Sequence, residues 1–591
     1  MTIQSLKKEI IDDLKAALPH LPKEVKIELE LPPQLEWGDF SFPCFSLAPI
    51  LKKSPEKIAE ELAEKLPRTI AFGELRGKSA SYRASKNLIE KVVNVGPYLN
   101  FFLKKDIFFK TVLKEILEKR DDFGKGERRK EKILIEYSGP NTNKPQHLGH
   151  LRNNFLGMAI GNLLEFEGQE VTRINLVNDR GIHIAKAMLA YLKRGEGKTP
   201  ESEGKKGDFF VGEYYVLFEQ KAKENPELLN EVQELLKKWE MGDEQTLALW
   251  RKMTDWAIKG LEETYQKIGT KFDKWFYESD FYQDGKKIAK KALKKGFCYR
   301  REDGAIEIDL TQFNLGKKVL LRPNGTSVYL TQDLALSVIK QKEFKPKKSV
   351  YVVASEQDAY FKALFKILEI FGYQWAKNLY HLSYGMVFLP EGRMKSREGK
   401  VVEADELIAL MEKLAKEEIL SRQKDIAPDE LSKRAKIIAL AALKFYFLHI
   451  TPPQDIIFDP DKSISFLGAT GPYLLYTCAR IQSILRKKVE ENETPLSIDY
   501  ACLTKKEERE LIILLSNFEE TVSRSAFFYN PACLAEYLLS LAQKFNEFYH
   551  LYPVLRPGDS LVYARLSLCQ AVVQVLKNGL SLLGIETVEK M

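Results

Sequence analysis

Between Lys132 and Val177 the order of apolar and polar positions changes character three times. Lys132–Tyr137 (KILIEY) is a β-branched and apolar run, which predicts a buried strand. Ser138–Gln146 crowds Gly, two Pro, Asn and Thr into a few positions, so the chain turns there. From Leu148 the apolar residues fall at Leu148, Leu151, Phe155, Ala159, Leu163 and Phe166, a helical period closed by Gly168. Glu170–Val177 predicts a second strand ending at Asn178-Asp179-Arg180-Gly181. Strand, helix and strand in this order predict a parallel sheet with right-handed crossovers and ligands at the strands' carboxyl ends.

Upstream, residues 1 to about 128 read as a small α+β unit. Ile3–Leu18 has an amphipathic helical pattern, and Glu24–Leu31 alternates like a strand before Pro32-Pro33. Ser54–Leu66 predicts a helix capped by Ser54 with Pro55 at its first position, and 92–103 predicts strand, turn, strand. Glu118–Lys132, dense in charge around Phe123-Gly124, reads as a solvated linker. From about 190 to 300 the pattern is helical and charged, with helices over Tyr214–Lys223, Pro226–Trp239 and Glu244–Ile268, an insertion between two halves of the sheet. The sheet pattern resumes with Ala305–Leu310, 319–322 and Ser349–Ala354. After Asp429 the chain reads as helical to its end, over Ala435–Leu448, Gly471–Val489, Lys506–Phe527, Cys533–Phe548 and Leu561–Leu583. The fold class is α/β and multidomain, divided at 1–128, 129–428 and 429–591.

Composition narrows this little. With 591 residues, 44% apolar, 29% charged and a net charge of +8, the chain suits a soluble multidomain protein and permits a nucleic-acid partner. The six cysteines are scattered without a C-x-x-C pair, which argues against a zinc knuckle or disulfide framework and suits a reducing cytoplasm. No apolar run approaches the ~20 residues of a membrane span, and the N-terminus lacks a signal-peptide pattern.

The candidate chemistry sits at the strand-to-helix turn. His147, Gly149 and His150 lie at a helix N-terminus, where unpaired N–H groups and the macrodipole attract phosphate. Gly149 lets a ligand approach the backbone, and both imidazoles are donors for phosphate oxygens. The dinucleotide fingerprint G-x-G-x-x-G is absent from this turn.

His147-Leu148-Gly149-His150 resembles the HIGH signature of class I aminoacyl-tRNA synthetases, and the longer string Ile135–His147 is similar to the arginyl members. Glu36-Trp37-Gly38-Asp39 and residues 96–102 resemble that family's N-terminal appended domain. Residues 209–218 and 239–243 resemble its insertion, and 576–591 its C-terminus. The resemblance implies a Rossmann-like catalytic domain with a helical insertion, an α+β appended domain and an all-α anticodon-binding bundle. It also implies an ATP-dependent arginine–tRNA ligase acting on L-arginine and tRNA(Arg), monomeric, whose arginine activation waits for tRNA. The arginine carboxylate would attack the α-phosphate of ATP, and the adenylate would pass its acyl group to the terminal ribose.

By the same resemblance, the arginine pocket comprises Glu136, Asn141, His147, Tyr329, Asp333 and Gln357. A guanidinium needs a planar, bidentate carboxylate partner, and the spacing of Tyr329 and Asp333 puts both on one face of a helical turn. ATP would meet His147, Gly149, His150, Met386, Val387 and Ser396, with Mg²⁺ carried on its phosphates rather than in a protein metal site. Residues 393–397 (RMKSR) stand where relatives carry Lys-Met-Ser-Lys-Ser, with Ser396 in place of the second lysine. Lys144, Lys395 and Arg397 are the basic residues that stand in for it, their division of labour left open. Gly139 stands where many relatives have Ser, and His183 where many have Gln. Tyr98 and Asn100 would face a D-loop base, and Tyr476, Arg480, Tyr549 and Met591 the anticodon loop. The alternatives are a pantothenate-synthetase-like ligase and a non-catalytic tRNA-binding paralogue. The two terminal domains oppose the first, and intact His147, His150, Glu136, Asp333 and Gln357 oppose the second.

Overall fold

The computed structural model describes residues 1–19, 21–22, 25–66, 88–195, 197–390, 402–489, 498–555 and 561–591. At its centre is a five-stranded sheet, every neighbouring pair parallel. Its strands are β4 (Lys132–Glu136), β5 (Glu170–Val177), β6 (Lys274–Tyr277), β10 (Lys348–Ala354) and β11 (Leu379–Tyr384). Their spatial order is β11-β10-β4-β5-β6, so the chain starts in the middle and winds outward in both directions. The order reverses beside β4, the place where such sheets open a crevice for ligands. The helix predicted after the turn spans Leu148–Phe166, and β5 has the predicted bounds.

Two expectations about this region change. Strand β6 lies within the 190–300 stretch assigned to an insertion, yet it extends the main sheet by pairing with β5. The helical excursion is therefore Ile182–Arg194, Gly207–Glu224, Leu228–Met241 and Glu244–Ile268, after which the chain returns to the sheet. A four-residue strand rich in aromatics between charged helices carries too short a period to be read alone. Conversely, β7 (Tyr299–Arg300), β8 (Ile306–Asp309) and β9 (Lys317–Leu321) form a separate antiparallel sheet and do not continue the central one.

The N-terminal unit pairs β1 (Phe40–Pro43) and β2 (Ile89–Val95) with a central β3 (Tyr98–Leu103). The alternation before Pro32 buries Ile27 and Leu29 but makes only one bridge, Glu30 to Ser41, instead of a strand; Glu24 lies outside the described residues. Ser54 caps the helix Pro55–Lys65 as expected, its hydroxyl accepting from the Lys57 N–H.

The expected linker is not solvated throughout. Phe123 is buried and stacks on Phe518, and the Asn578 amide donates to the Arg120 and Phe123 carbonyls. Gly124 has φ 86°, and a Cβ there would come within 2.6 Å of the Phe518 ring, so only glycine fits. A single apolar core runs from Leu6 and Phe40 through Phe155 to Leu538 and Leu576, tying all three parts together. In the helical part, the run read as Lys506–Phe527 is two helices, Lys506–Ser516 and Phe518–Phe527, parted at Asn517.

One buried pair joins the ends of the chain. Asp39, 1% exposed, accepts from the Leu103 N–H and lies 2.9 Å from the Arg509 guanidinium, which also covers the Phe102 ring. Burial pushes the Asp39 carboxyl up despite the pull of Arg509. Arg509→Met would strand this carboxylate, and breaking such a buried pair costs ~3–5 kcal/mol. The expected result is an earlier melting transition and protease cleavage within 1–128, both absent from the parent under the same conditions.

Candidate functional site

Every strand of the central sheet points its carboxyl end at one cavity of about 1150 Å³. Glu136 ends β4, Gln357 follows β10 in a short 3₁₀ turn, and Met386 follows β11. Tyr329 and Asp333 enter from the first turns of the helix Tyr329–Phe344, on one side of it. Asn141, Lys144, His147, Gly149, His150 and Val387 complete the predicted residues lining the space. The cavity thus gathers all predicted arginine- and ATP-site residues except Lys395, Ser396 and Arg397, which lie outside the described residues.

The turn into the helix is held by its own side chains. His147 is the N-cap, its Nδ1 accepting from the Gly149 N–H at 3.1 Å. His150 answers from the third helical position, its Nδ1 accepting from the His147 N–H at 3.2 Å. With both Nδ1 atoms acting as acceptors, each neutral ring carries its proton on Nε2. Burial, then the charge of Lys144, lowers His147 to about 4. Burial, His147 and Lys144 hold His150 well below the usual histidine range. Both rings are therefore neutral Nε2–H donors at physiological pH. A Cβ on residue 149 would sit 3.1 Å from the His147 ring, so Gly149 keeps the cap in place as well as leaving room for a ligand.

The next helical turn locks the sheet edge. The Asn153 amide donates to the Val352 carbonyl and the Tyr384 hydroxyl and accepts from the Ser138 N–H, pinning β10, β11 and the turn after β4 together. Arg152, 2% exposed, donates to the carbonyls of Gly385, Met386, Pro452 and Gln454. It thereby holds the Met386–Val387 wall against the segment that leads into the helical part. Ser138 and Gly139 both have positive φ, 76° and 61°, which accounts for glycine at 139 as a turn residue. His183 bonds the Tyr215 hydroxyl at 3.2 Å, joining the first two helices of the excursion.

The opposite end of the cavity is acidic. Glu136 is paired with Lys340, buried at 2% exposure and 2.6 Å away. Burial alone would lower the Lys340 pKa, but Glu136 more than reverses it, so the ammonium stays charged. Asp333 accepts from the Tyr360 hydroxyl and, among the described residues, forms no salt bridge. Burial raises it to about 6; Glu136 pushes the same way, and the Tyr360 bond and Lys340 oppose. A guanidinium bound beside it would stabilise the ionised form, and Asp333 would then release its proton. Arginine affinity is expected to fall about tenfold per pH unit once pH drops below about 6. Titrations of L-arginine across pH 5–8 test this; a flat profile would remove Asp333 from the pocket.

Sequence reasoning missed Lys340, Glu278 and Tyr360 in this lining. Lys340 lies two turns after Asp333 on the same helix, so the helical period could have flagged it. Glu278 follows β6 as Glu136 ends β4, but it was hidden once β6 was read as insertion.

The residues matched to tRNA contacts divide. Tyr476, Arg480 and Tyr549 come together: Arg480 lies over both rings at 4.6 and 5.6 Å and donates to the Tyr476 hydroxyl. Met591 packs partly buried against the core. Tyr98 is half-buried at the start of β3, edge-on to the exposed Phe45. Asn100 is 0% exposed, and among the described residues neither atom of its amide has a partner. It shares its strand face with the partly exposed Tyr98 and Phe102, opposite the core-facing Leu99, Phe101 and Leu103.

Comparison with known proteins agrees with this geometry. Residues 112–459 match the family model for the catalytic domain of class I (R) tRNA synthetases, and 474–591 that for the DALR anticodon binding domain. A nucleotide-type parallel sheet with the HIGH turn at its crevice and a DALR bundle behind it defines a class I aminoacyl-tRNA synthetase. Residues 4–103 match the arginyl tRNA synthetase N-terminal domain. The arginine–tRNA ligase of Treponema denticola is 43% identical over 600 aligned positions, 99% of each chain, and that of Amoebophilus asiaticus 42% over 582, 94% of each. The Thermus thermophilus arginyl-tRNA synthetase superposes over the whole of both chains with a TM-score of 0.82 at 28% identity. The chain belongs to the arginyl-tRNA synthetase family.

Proposed function

We propose that the two ends of the cavity divide the reaction between them. The acidic end, with Glu136, Asn141, Tyr329, Asp333 and Gln357, holds L-arginine. The helix N-terminus, with His147, Gly149 and His150 against Met386 and Val387, holds ATP. His147 stands between the two. The observation that carries this reading is the polarity of one space: at one end a carboxylate with no salt bridge among the described residues, at the other neutral imidazole donors and a helix N-terminus. The enzyme is an arginine–tRNA ligase. It activates L-arginine with ATP to arginyl-adenylate and pyrophosphate, then transfers arginine to the 3′-terminal ribose of tRNA(Arg).

No protein nucleophile is required, because the substrate carboxylate itself attacks the α-phosphate. The chain's contribution is to align the reactants and stabilise charge developing on phosphate. Lys144, within the turn, is assigned to departing pyrophosphate, with Lys395 and Arg397 sharing the task, and Ser396 is assigned to ATP. Among the described residues no group of three or more His, Cys, Asp or Glu is arranged for a metal. The Nε2–H and backbone N–H donors at the turn suit phosphate oxygens, so Mg²⁺ is assigned to the nucleotide, where it would neutralise the leaving group.

A second groove, of about 1530 Å³, opens beside the cavity and shares Lys144 and His147 with it. Its wall carries Lys205, Phe209, Tyr215 and Lys223 of the excursion, charge and rings suited to a single-stranded acceptor end. Tyr98 and Asn100 are assigned to the D-loop corner and Tyr476, Arg480, Tyr549 and Met591 to the anticodon loop. The division of the chain at 128 and 428, a monomeric state and a cytoplasmic location belong to the same proposal. The last is supported by cysteines scattered without a C-x-x-C pair, and no described helix is long and apolar enough to cross a membrane. A non-catalytic paralogue would have no need of a complete cavity. ATP–pyrophosphate exchange with each of the twenty amino acids, with and without tRNA, tests the whole. Exchange with arginine alone among them is expected, and only in the presence of tRNA; exchange without tRNA would remove the gating, and none at all would leave a tRNA-binding protein.

A further inference from the structure

The last helix of the chain, Leu561–Leu582, ends in a turn at Gly584, and the residues beyond it are fastened at two points. At the far end the Arg486 guanidinium donates to the Glu589 carbonyl at 3.1 Å. Arg486 belongs to the helix Gly471–Val489, which also carries Tyr476 and Arg480. At the near end the Lys444 ammonium, from the helix Pro428–Leu448, donates to the Gly584 carbonyl at 2.5 Å. Lys444 is 5% exposed and, among the described residues, has no other hydrogen bond and no salt bridge. This near end rests on the helix that starts at the His147 turn. The Asn162 amide donates to the Leu582 carbonyl at 3.3 Å, and a Cβ on Gly584 would come within 2.3 Å of Met158. The Lys444 ammonium lies 5.9 Å from the centre of the Phe155 ring. Phe155, Met158 and Asn162 share one face of the helix Leu148–Phe166. That helix spans the roughly 20 Å from Asn162 to the caps of His147 and His150.

We propose that Lys444 is a positioning residue that couples the C-terminal segment to the helix holding ATP, so that tRNA bound at the first aligns the turn at the second. The proposal rests on the tRNA-gated reading above. A segment passes on a displacement only while both its ends are tied, and a charge-assisted bond is the stronger kind of tie. Lys444 lines a cavity of about 540 Å³ between its helix, the helix Leu148–Phe166 and the turn into β6, which leaves the tied turn room to move. Tyr137, next in sequence to Glu136, lines the same cavity and gives its hydroxyl to the Lys271 carbonyl. The charged groups that share the space with Lys444 are Glu586, Glu165, Asp273, Arg173, Lys267 and Lys271. Burial lowers Lys444 to about 8, with Glu586 opposing. The tie is therefore fully charged well below that pH and loses its charge above it.

ATP–pyrophosphate exchange by the full chain with L-arginine, per titrated active site and with or without a tRNA(Arg) transcript, tests this. Lys444→Met should lower the tRNA-dependent kcat roughly 10- to 100-fold, the range of one hydrogen bond to a charged group. Affinity for the transcript and the KM values for arginine and ATP should stay within about twofold. The parent's kcat should also fall as pH rises through about 8, a limb that Lys444→Met, low throughout, lacks. A lysine that only supports the fold would cost active sites and leave kcat per site at the parent value, and that result overturns the proposal. A loss of transcript affinity that accounts for the whole effect overturns it too. If Lys444→Met does not fold, Asn162→Ala decides by releasing the neighbouring Leu582 carbonyl. Depressed kcat at parent transcript affinity supports the coupling, and parent kcat overturns it. Parent exchange without tRNA fails the gating reading as a whole, whereas a tRNA-dependent parent with an unaltered Lys444→Met removes only this residue.

Discussion

Asp333→Asn should lower arginine-dependent ATP–pyrophosphate exchange by roughly 10³-fold while leaving tRNA affinity within about twofold. The size follows from what remains behind. Asp333 lines the cavity with, among the described residues, only the Tyr360 hydroxyl bonded to its carboxylate, and on the proposed reading the substrate's guanidinium supplies the missing charge. Asn keeps an acceptor for Tyr360 but removes the charge, so the guanidinium is desolvated against a dipole, and stranding a buried charge costs ~3–5 kcal/mol. Glu136 does not substitute, because Lys340 already neutralises it at 2.6 Å. The loss should therefore appear mainly in KM for arginine, and KM for ATP should stay near the parent value. The candidate tRNA contacts Tyr476, Arg480 and Tyr549 belong to other helices, which is why a binding assay with labelled tRNA should barely respond. Undiminished arginine use in Asp333→Asn would withdraw the pocket.

The parts of this enzyme that were legible in sequence are those where local pattern and local chemistry coincide. Strand β4, the turn and the helix Leu148–Phe166 are contiguous, and the two histidines act through their own backbone. Tyr329 and Asp333 were named by resemblance, and the helical period that puts them on one side of a helix agrees with the structure. Glu278 was not, since its position depends on β6 pairing with β5 a hundred residues away in sequence, a long-range fact that four residues cannot announce. Lys340 was missed for a different reason: a lysine in a charged helix ordinarily faces water, and only the packing of Tyr351 and Glu136 around it makes it internal. The linker failed similarly. Its charges are exposed as read, but Phe123 and Gly124 among them form the contact with Phe518. Asn100 shows what the strand period leaves out: it shares a face with the partly exposed Tyr98 and Phe102 and is still buried.

His150→Ala should lower kcat for arginine activation by roughly 10²- to 10³-fold with little change in KM for arginine. Two losses combine. One is a donor aimed at phosphate, and removing one such preorganised donor typically costs ~2.7–4 kcal/mol of transition-state stabilisation. The other is the acceptor that holds the His147 N–H, the reciprocal half of the helix cap, at about 1 kcal/mol. The pH dependence separates the imidazoles from the carboxylates. Because burial keeps His147 near 4 and holds His150 well below the usual histidine range, neither gains a proton as pH falls from 8 to 6. The kcat profile should therefore show no histidine titration in that range, while arginine affinity weakens below about 6 as Asp333 protonates. A kcat that rises as pH falls through 6.5 would mean that an imidazolium grips the phosphates, and the neutral-donor account of the helix N-terminus would fail. A kcat flat over the same range, with His150→Ala depressed throughout it, ties the rate to a hydrogen bond whose geometry the helix cap provides.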